Sequence, residues 1–251
     1  MATISIQTQK EKKLKILHTI YGVALGPGDP ELVTLKALRI LKEADVIFYP
    51  GSSFKGKQKS FVYPILEHHG LTTKQLEGFF LEMTLDRISA EKTYDETVVK
   101  IESAHKEGKK VAIVCEGDLS LYASFSYILQ RLQTQKLPVS LIPGINAFSL
   151  GAAKHQIPIC LLNDKVAIIP RESDMEKMAT YFQNFDTLVL MKIRSNWEAI
   201  RQLLEEKKWN FYYCERLGTA EEFISTNLKE ISERTIPYFS LLIIKKNHTH
   251  D

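Results

Sequence analysis

Cysteine is scarce in this chain of 251 residues: Cys115, Cys160 and Cys214 are the only three, dispersed and each set in apolar sequence. An odd, scattered set does not make a disulfide scaffold, and it predicts a reducing, cytoplasmic setting. Long hydrophobic runs are missing too, none reaching the roughly 18 residues that a membrane-spanning helix needs. Met1 to Leu14 is polar and lysine-bearing, without the apolar centre of a secretory signal, and reads as a disordered lead-in. Charge of one sign is also lacking, since 33 Lys and Arg against 30 Asp and Glu leave a net +3. Lysines and glutamates alternate, as in Glu205-Glu206-Lys207-Lys208, and do not form the basic stripe of a nucleic-acid binder. Neither nucleic acid nor a membrane is therefore expected as a partner, while a small polyanionic substrate remains compatible.

Familiar catalytic signatures are absent as well. There is no Cys-x-x-Cys and no His-Glu-x-x-His, and the adjacent pair His68-His69 would point apart on a regular element, so no metal site is expected. Without a Gly-x-Ser-x-Gly elbow the chain does not read as an α/β-hydrolase. The segment from Gly51 to Gln58 nearly spells a phosphate-binding P-loop, but Gln58 stands where a Mg²⁺-ligating hydroxyl belongs, leaving a flexible lysine-rich loop. Cys115 ends an apolar strand with no histidine beside it and reads as a packing residue.

What is present is a repeated junction. An apolar strand from Thr19 to Leu25 stops at the turn Gly26-Pro27-Gly28, where a helix opens, with Asp29 as N-cap, Pro30 at the first helical position and Glu31 on the positive end. Leu32, Leu35, Leu38 and Leu41 supply its stripe, and Ala44 to Tyr49 is a second strand closed by Pro50-Gly51. The pattern recurs at strand Val111 to Cys115, where Glu116-Gly117-Asp118 leads into a helix from Leu119 to about Thr134. It recurs again at strand Val139 to Ile142, where Pro143-Gly144 precedes a small-residue helix from Asn146. Three such turns at one sheet edge converge on one crevice.

Between these, residues 72–90 suggest a short hairpin around Phe79 to Met83, and Ala90 to Glu107 a helix with Val98, Ile101 and Ala104 inward. Later strands are expected at Lys165 to Ile169, Thr187 to Met191, Trp209 to Cys214 and Tyr238 to Lys245. Capping boxes at Ser173-Asp174-Met175-Glu176 and Ser195-Asn196-Trp197-Glu198 open helices reaching Asn184 and Lys207, and His248, His250 and Asp251 trail off. The reading is α/β throughout: residues 14–142 with a mainly parallel sheet, then 143–247 with a mixed one.

The proline in the first turn removes a donor that a pyrophosphate would use, and Glu116, Asp118 and Asn146 are acceptors. A phosphate-free nucleoside ligand suits them, and S-adenosylmethionine is the commonest. The segments Gly22-Val23-Ala24-Leu25-Gly26-Pro27-Gly28-Asp29-Pro30-Glu31, Cys115-Glu116-Gly117-Asp118, Ile142-Pro143-Gly144-Ile145-Asn146 and Gly151-Ala152-Ala153-x-x-x-Ile157-Pro158 together resemble the tetrapyrrole (corrin/porphyrin) methylase family, in order, from about Leu14 to Lys246. Within it, Ala44 to Pro50, Glu82-Met83-Thr84-Leu85-Asp86-Arg87, Glu116 to Phe125 and Tyr238-Phe239-Ser240-Leu241 are similar to the methylases of carbon 20 of precorrin-2 or cobalt-factor II.

The resemblance implies two α/β domains flanking a cleft, a homodimer, S-adenosylmethionine as cofactor and cobalamin synthesis as the setting. It places cofactor contacts on Pro27, Glu116, Gly117, Asp118, Leu121, Asn146, Ala147, Met191 and Gly218, and it leaves the catalytic residues unknown. Arg87, Arg171 and Arg194 are candidates to pair with substrate carboxylates. Leu119 stands where many members have proline, so the loop loses that residue's fixed φ. Other acceptors (another precorrin, uroporphyrinogen, or a protein as in diphthine synthase) and a non-catalytic ligand-binding role are the alternative readings.

Overall fold

A computed structural model describes residues 18–82, 87–171 and 174–246. The expectations for Met1 to Leu14, for Met83 to Asp86, for Ser173 and for His248 to Asp251 lie outside the described residues.

Two sheets organise the chain. The first contains β1 (Ile20–Ala24), β2 (Val46–Phe54), β3 (Lys57–Lys59), β4 (Gln75–Glu82), β5 (Val111–Cys115) and β6 (Val139–Ile142). Its order is β3-β2-β5-β1-β6, with β4 on the other side of β2, and every pairing is parallel except the β2–β3 hairpin. The second contains β7 (Val166–Pro170), β8 (Thr187–Met191), β9 (Asn210–Glu215), β10 (Phe223–Ser225) and β11 (Ser240–Lys245), in the order β10-β9-β11-β8-β7. It is mixed: β7 runs parallel to β8, while β11 is antiparallel to both neighbours, so β7, β8 and β9 all point one way.

Strand periodicity distributes the core. Ile113 and Cys115 of β5 pack with α3 (Arg87–Lys106) and α4 (Phe125–Thr134), whereas Ala112 and Val114 face α1 (Leu35–Glu43) and α2 (Tyr63–His68). In the second sheet Leu242 and Ile244 of β11 meet α6 (Met175–Asn184), α7 (Trp197–Lys207) and α8 (Leu228–Ser232), and Leu241 and Ile243 meet α5 (Ala147–Lys154). The chain thus leaves the first sheet at Ile142, and its next helix packs on the second.

Several expectations need correction. Asp29 does cap, accepting from the Glu31 N–H at 2.9 Å, but what it opens is a single 3₁₀ turn, Pro30–Leu32. Thr34 then accepts from the Ala37 N–H and starts α1 afresh, which leaves Leu35 87% exposed and buries Ala37, Ile40 and Leu41. β2 continues through Pro50-Gly51, because left-handed Lys55 and Gly56 turn the chain back into β3; the near-P-loop is this hairpin. Residues 75–82 form one strand parallel to β2 instead of a hairpin. Ser195 lies inside a 3₁₀ turn, Ile193–Asn196, and α7 follows without a side-chain cap. The short elements α2, β10 and α8 were not expected.

Candidate active site

The three junctions do meet. At the ends of β1 and β5, Gly26 and Gly117 exchange backbone hydrogen bonds, N–H to O, of 3.2 and 2.7 Å, an antiparallel bridge beyond the parallel strands. Gly144, after β6, presses against them so closely that a Cβ there would lie 2.7 Å from the Gly117 carbonyl oxygen. The Asp118 carboxylate locks the arrangement, accepting from the Gly144 N–H at 2.9 Å and from the backbone and hydroxyl of Ser120. Burial disfavours its charge, but the bonds donated by Ser120, Gly144 and Leu119 outweigh that and hold its carboxyl below the usual range. This turn, with Tyr122 left-handed at φ 53°, delays α4 to Phe125. The loop 119–124, expected to be helix, instead lies along the crevice.

The crevice opens between the two sheets, and the space within it and its open mouth is about 920 Å³. Pro27, Glu116, Gly117, Asp118, Leu121, Asn146 and Ala147 line one side. Met191, Lys192, Arg216, Leu217 and the run Tyr238 to Leu241 line the other. Contacts across the gap hold the walls. A Cβ on Gly28 would lie 2.3 Å from the Leu217 carbonyl oxygen and one on Gly218 2.2 Å from the Asp29 nitrogen, so backbone meets backbone there. The Phe61 and Phe239 rings stand 4.2 Å apart, and the Tyr122 hydroxyl donates to the Ile168 carbonyl at 2.9 Å.

Electrostatically the floor is a mixed pair. Burial pushes the Glu116 carboxyl up, while a bond with its own backbone and, to a lesser degree, the charge of Lys192 on the other wall pull it back in part. Burial and the nearby Arg171 push the Lys192 ammonium down, against Glu116. Cys115 is buried with its thiol held well above its ordinary value by desolvation, so it is packing material. His68 and His69 do not converge: His69 Nε2 lies 2.9 Å from the Pro30 carbonyl oxygen, with the two rings at 85°. Among the described residues no group of three or more His, Cys, Asp or Glu is placed to hold a metal.

The family profile of the Tetrapyrrole (Corrin/Porphyrin) Methylases matches residues 19–232. This chain is a tetrapyrrole methylase. It is 33% identical over 234 residues to the "Probable cobalt-precorrin-2 C(20)-methyltransferase" of Methanocaldococcus jannaschii, covering 92% of this chain and 98% of that one. The fold superimposes on an X-ray structure of a cobalt precorrin-4 methyltransferase with a TM-score of 0.66 at 17% identity, covering 90% of this chain and 94% of that one. It likewise matches the Thermus thermophilus uroporphyrin-III C-methyltransferase complexed with S-adenyl homocysteine, with a TM-score of 0.64 at 23% identity and coverage of 91% and 97%. S-adenosylmethionine is the methyl donor of this family.

Of the nine residues expected to contact the cofactor, the methylase fold brings eight to the crevice. Gly218 is not part of the lining; it sits behind it, against Asp29. Arg87 lies over the Tyr127 ring and bonds Glu91 on the α3–α4 face, and Arg194 is exposed in the 3₁₀ turn; neither lines the crevice. Arg171 follows β7, next to Lys192. Lys192, Arg216, Leu217, Tyr122 and Phe61 are among the crevice residues that sequence reasoning missed. Nothing in a lone Lys or Arg after an apolar strand marks it for this position.

Proposed function

We propose that this methylase transfers the methyl of S-adenosylmethionine to carbon 20 of precorrin-2 or cobalt-factor II during assembly of the corrin ring. The observation that carries the reading is the nearly end-to-end 33% identity to the M. jannaschii protein of that printed name. The chain would divide at residues 142 and 143, act in the cytoplasm and pair as a homodimer. No helix among the described residues is long and apolar enough to cross a membrane, in keeping with a diffusible substrate.

The residues fit the cofactor chemically. The lining mixes apolar walls (Leu121, Ala147, Met191) with the acceptors Glu116 and Asn146, and the Asn146 side chain, at the N-cap of α5, makes no capping bond to its helix. When bound, the cofactor supplies an electrophilic methyl on a sulfonium, transferred by in-line displacement. Glu116 suits the ammonium or sulfonium charge, and the carbonyl-rich turns at Gly117 and Pro27 suit ribose and adenine groups. Asp118 has its carboxylate occupied by its own loop, so it would contribute through its backbone and by fixing the Gly117 and Gly144 turns. Gly218 would act by closing the two walls together. The family substrate carries many carboxylates, and Arg216 in the crevice lining and Arg171, which follows β7 near Lys192, are the arginines that would receive them. The chain's contribution is to aim one ring carbon and keep water out.

Incubation with S-adenosylmethionine and either metal-free precorrin-2 or cobalt-factor II, in parallel, tests this. The expected result is one added methyl on the chromophore, located at carbon 20 by NMR. Calorimetry showing no binding of S-adenosylmethionine at millimolar concentration, or methyl appearing on protein instead of chromophore, would overturn it.

A further inference from the structure

The second sheet presents an unusual edge. β7, β8 and β9 run the same way, and the residue immediately after each is basic: Arg171, Lys192 and Arg216. All three are left-handed, with φ of 51°, 58° and 48°. A non-glycine residue in that region is strained, so three at one edge mark strain concentrated where ligands bind. The three are not equivalent. Arg171 is exposed, and Arg216 is held by Glu221 at 2.9 Å; guanidinium groups stay charged throughout. Lys192, the amine of the set, is half-buried in the crevice wall, with its Nζ 5.9 Å from the centre of the Tyr122 ring across the gap.

We infer that Lys192 is the proton acceptor of the methyl transfer, taking the hydrogen of the ring carbon that receives the methyl. The inference rests on the function proposed above. In the step, the π electrons of the ring carbon form the new carbon–carbon bond while the methyl–sulfur electron pair returns to sulfur. The ring carbon then carries both a hydrogen and the methyl, and the ring carries a positive charge. The carbon–hydrogen bond breaks, its electron pair restores the ring, and the proton passes to neutral Nζ, leaving an ammonium.

The surroundings favour a neutral amine beforehand and tolerate an ammonium afterwards. The charges acting on Lys192 are Glu116 from the end of β5 and Arg171 from after β7; its Nζ approaches the Tyr122 ring, and Arg216 and Tyr238 line the same crevice. Burial and Arg171 depress its ammonium, and an arriving sulfonium adds to that in the same direction. Glu116 opposes it and, once the proton has moved, faces the new cation. Strand β8 and the 3₁₀ turn that follows fix the lysine's base, since Ile193 is buried on the other face.

The test uses the full chain. Lysines are reductively ¹³C-methylated and titrated by NMR, with the Lys192 signal assigned by its absence in Lys192→Arg. The expected result is a Lys192 resonance titrating below the surface lysines, and lower still with S-adenosylmethionine bound. A Lys192 titrating with the surface set would overturn the inference whatever the acceptor. Single-turnover transfer to precorrin-2 should fall at least about 100-fold in both Lys192→Arg and Lys192→Met, the usual contribution of a proton acceptor. Calorimetric affinity for S-adenosylhomocysteine should change little. Aminoethylation of Lys192→Cys, with wild type as the control for Cys160, should restore transfer and move the acidic limb of the pH–rate profile to lower pH. Wild-type rate and profile in Lys192→Arg would leave Lys192 as a mere cation and overturn the inference. A wild-type enzyme that binds cofactor yet methylates no tetrapyrrole would instead overturn the function itself, with the NMR titration still judging the lysine.

Discussion

The Asp118 carboxylate commits both oxygens to its own neighbourhood, one to Ser120 and the other to the Gly144 N–H. A residue that the family pattern marks as a ligand contact is therefore also the clasp between two strand ends. Replacing it with alanine strands the Ser120 and Gly144 backbone donors in a half-buried turn, at up to about 1–3 kcal/mol each where water does not reach them. Asp118→Ala should lower the urea midpoint with an unchanged m-value, and weaken S-adenosylhomocysteine binding by calorimetry. The penalty should depend on pH in a defined direction. The native carboxyl is held below its unfolded value, so its contribution is fully present above about pH 3.9, the unfolded value, and is lost as pH falls through the native one. Wild type and Asp118→Ala should thus converge in stability in strong acid. A difference that stays constant down to pH 2 would show that the carboxylate charge is not what holds the clasp.

Among the elements, strands were the most legible and the starts of helices the least. Val111 to Cys115 and Val139 to Ile142 were read without error because short apolar runs between glycine turns have few other fates. The crevice was legible for the same reason: three strand–turn junctions in one parallel sheet share an edge. Helix starts depend on which of several polar side chains wins the first free N–H, and that is decided by turn geometry. Thr34, unremarked in the sequence, caps α1 by accepting from Ala37, whereas Ser195, which heads an apparent capping box, sits inside a 3₁₀ turn. The two make a matched test. Thr34→Ala should cost about 1 kcal/mol, the usual value of a lost N-cap, in chemical denaturation. Ser195→Ala should stay within about 0.5 kcal/mol, as for a surface site away from such features. Equal effects would mean that the sequence pattern, not the geometry, identifies the caps. The basic edge of Arg171, Lys192 and Arg216 was illegible on similar grounds: left-handed backbone at a lysine or arginine leaves no mark of its own, and only Arg171 had been singled out.

For the molecule as a whole, the site exists only while two independently cored sheets stay in contact. Their junction is narrow and stiff: Gly28 and Asp29 on one wall touch Leu217 and Gly218 on the other with no room for a single methyl group. Phe61 against Phe239 and Tyr122 bonded to Ile168 complete it. A ligand that bridges both walls stabilises the closed arrangement by mass action. S-adenosylhomocysteine at 100 times its dissociation constant should add about 2.7 kcal/mol to the folded state. For a chain of this size that is a rise in Tm of about 5–10 °C. Gly218→Ala should interrupt this coupling. Its φ of 74° and a Cβ placed 2.2 Å from the Asp29 nitrogen force the walls apart. The combined cost is about 2–5 kcal/mol, from left-handed strain together with overpacking. Calorimetric scans with and without S-adenosylhomocysteine should show the wild type shifting as one unit. Gly218→Ala should melt earlier and lose most of the ligand-induced shift, although Gly218 is no part of the crevice lining. If the variant kept the full shift, the junction would be incidental to binding, and the walls would have to be held together by the aromatic pair and the Tyr122 bond alone.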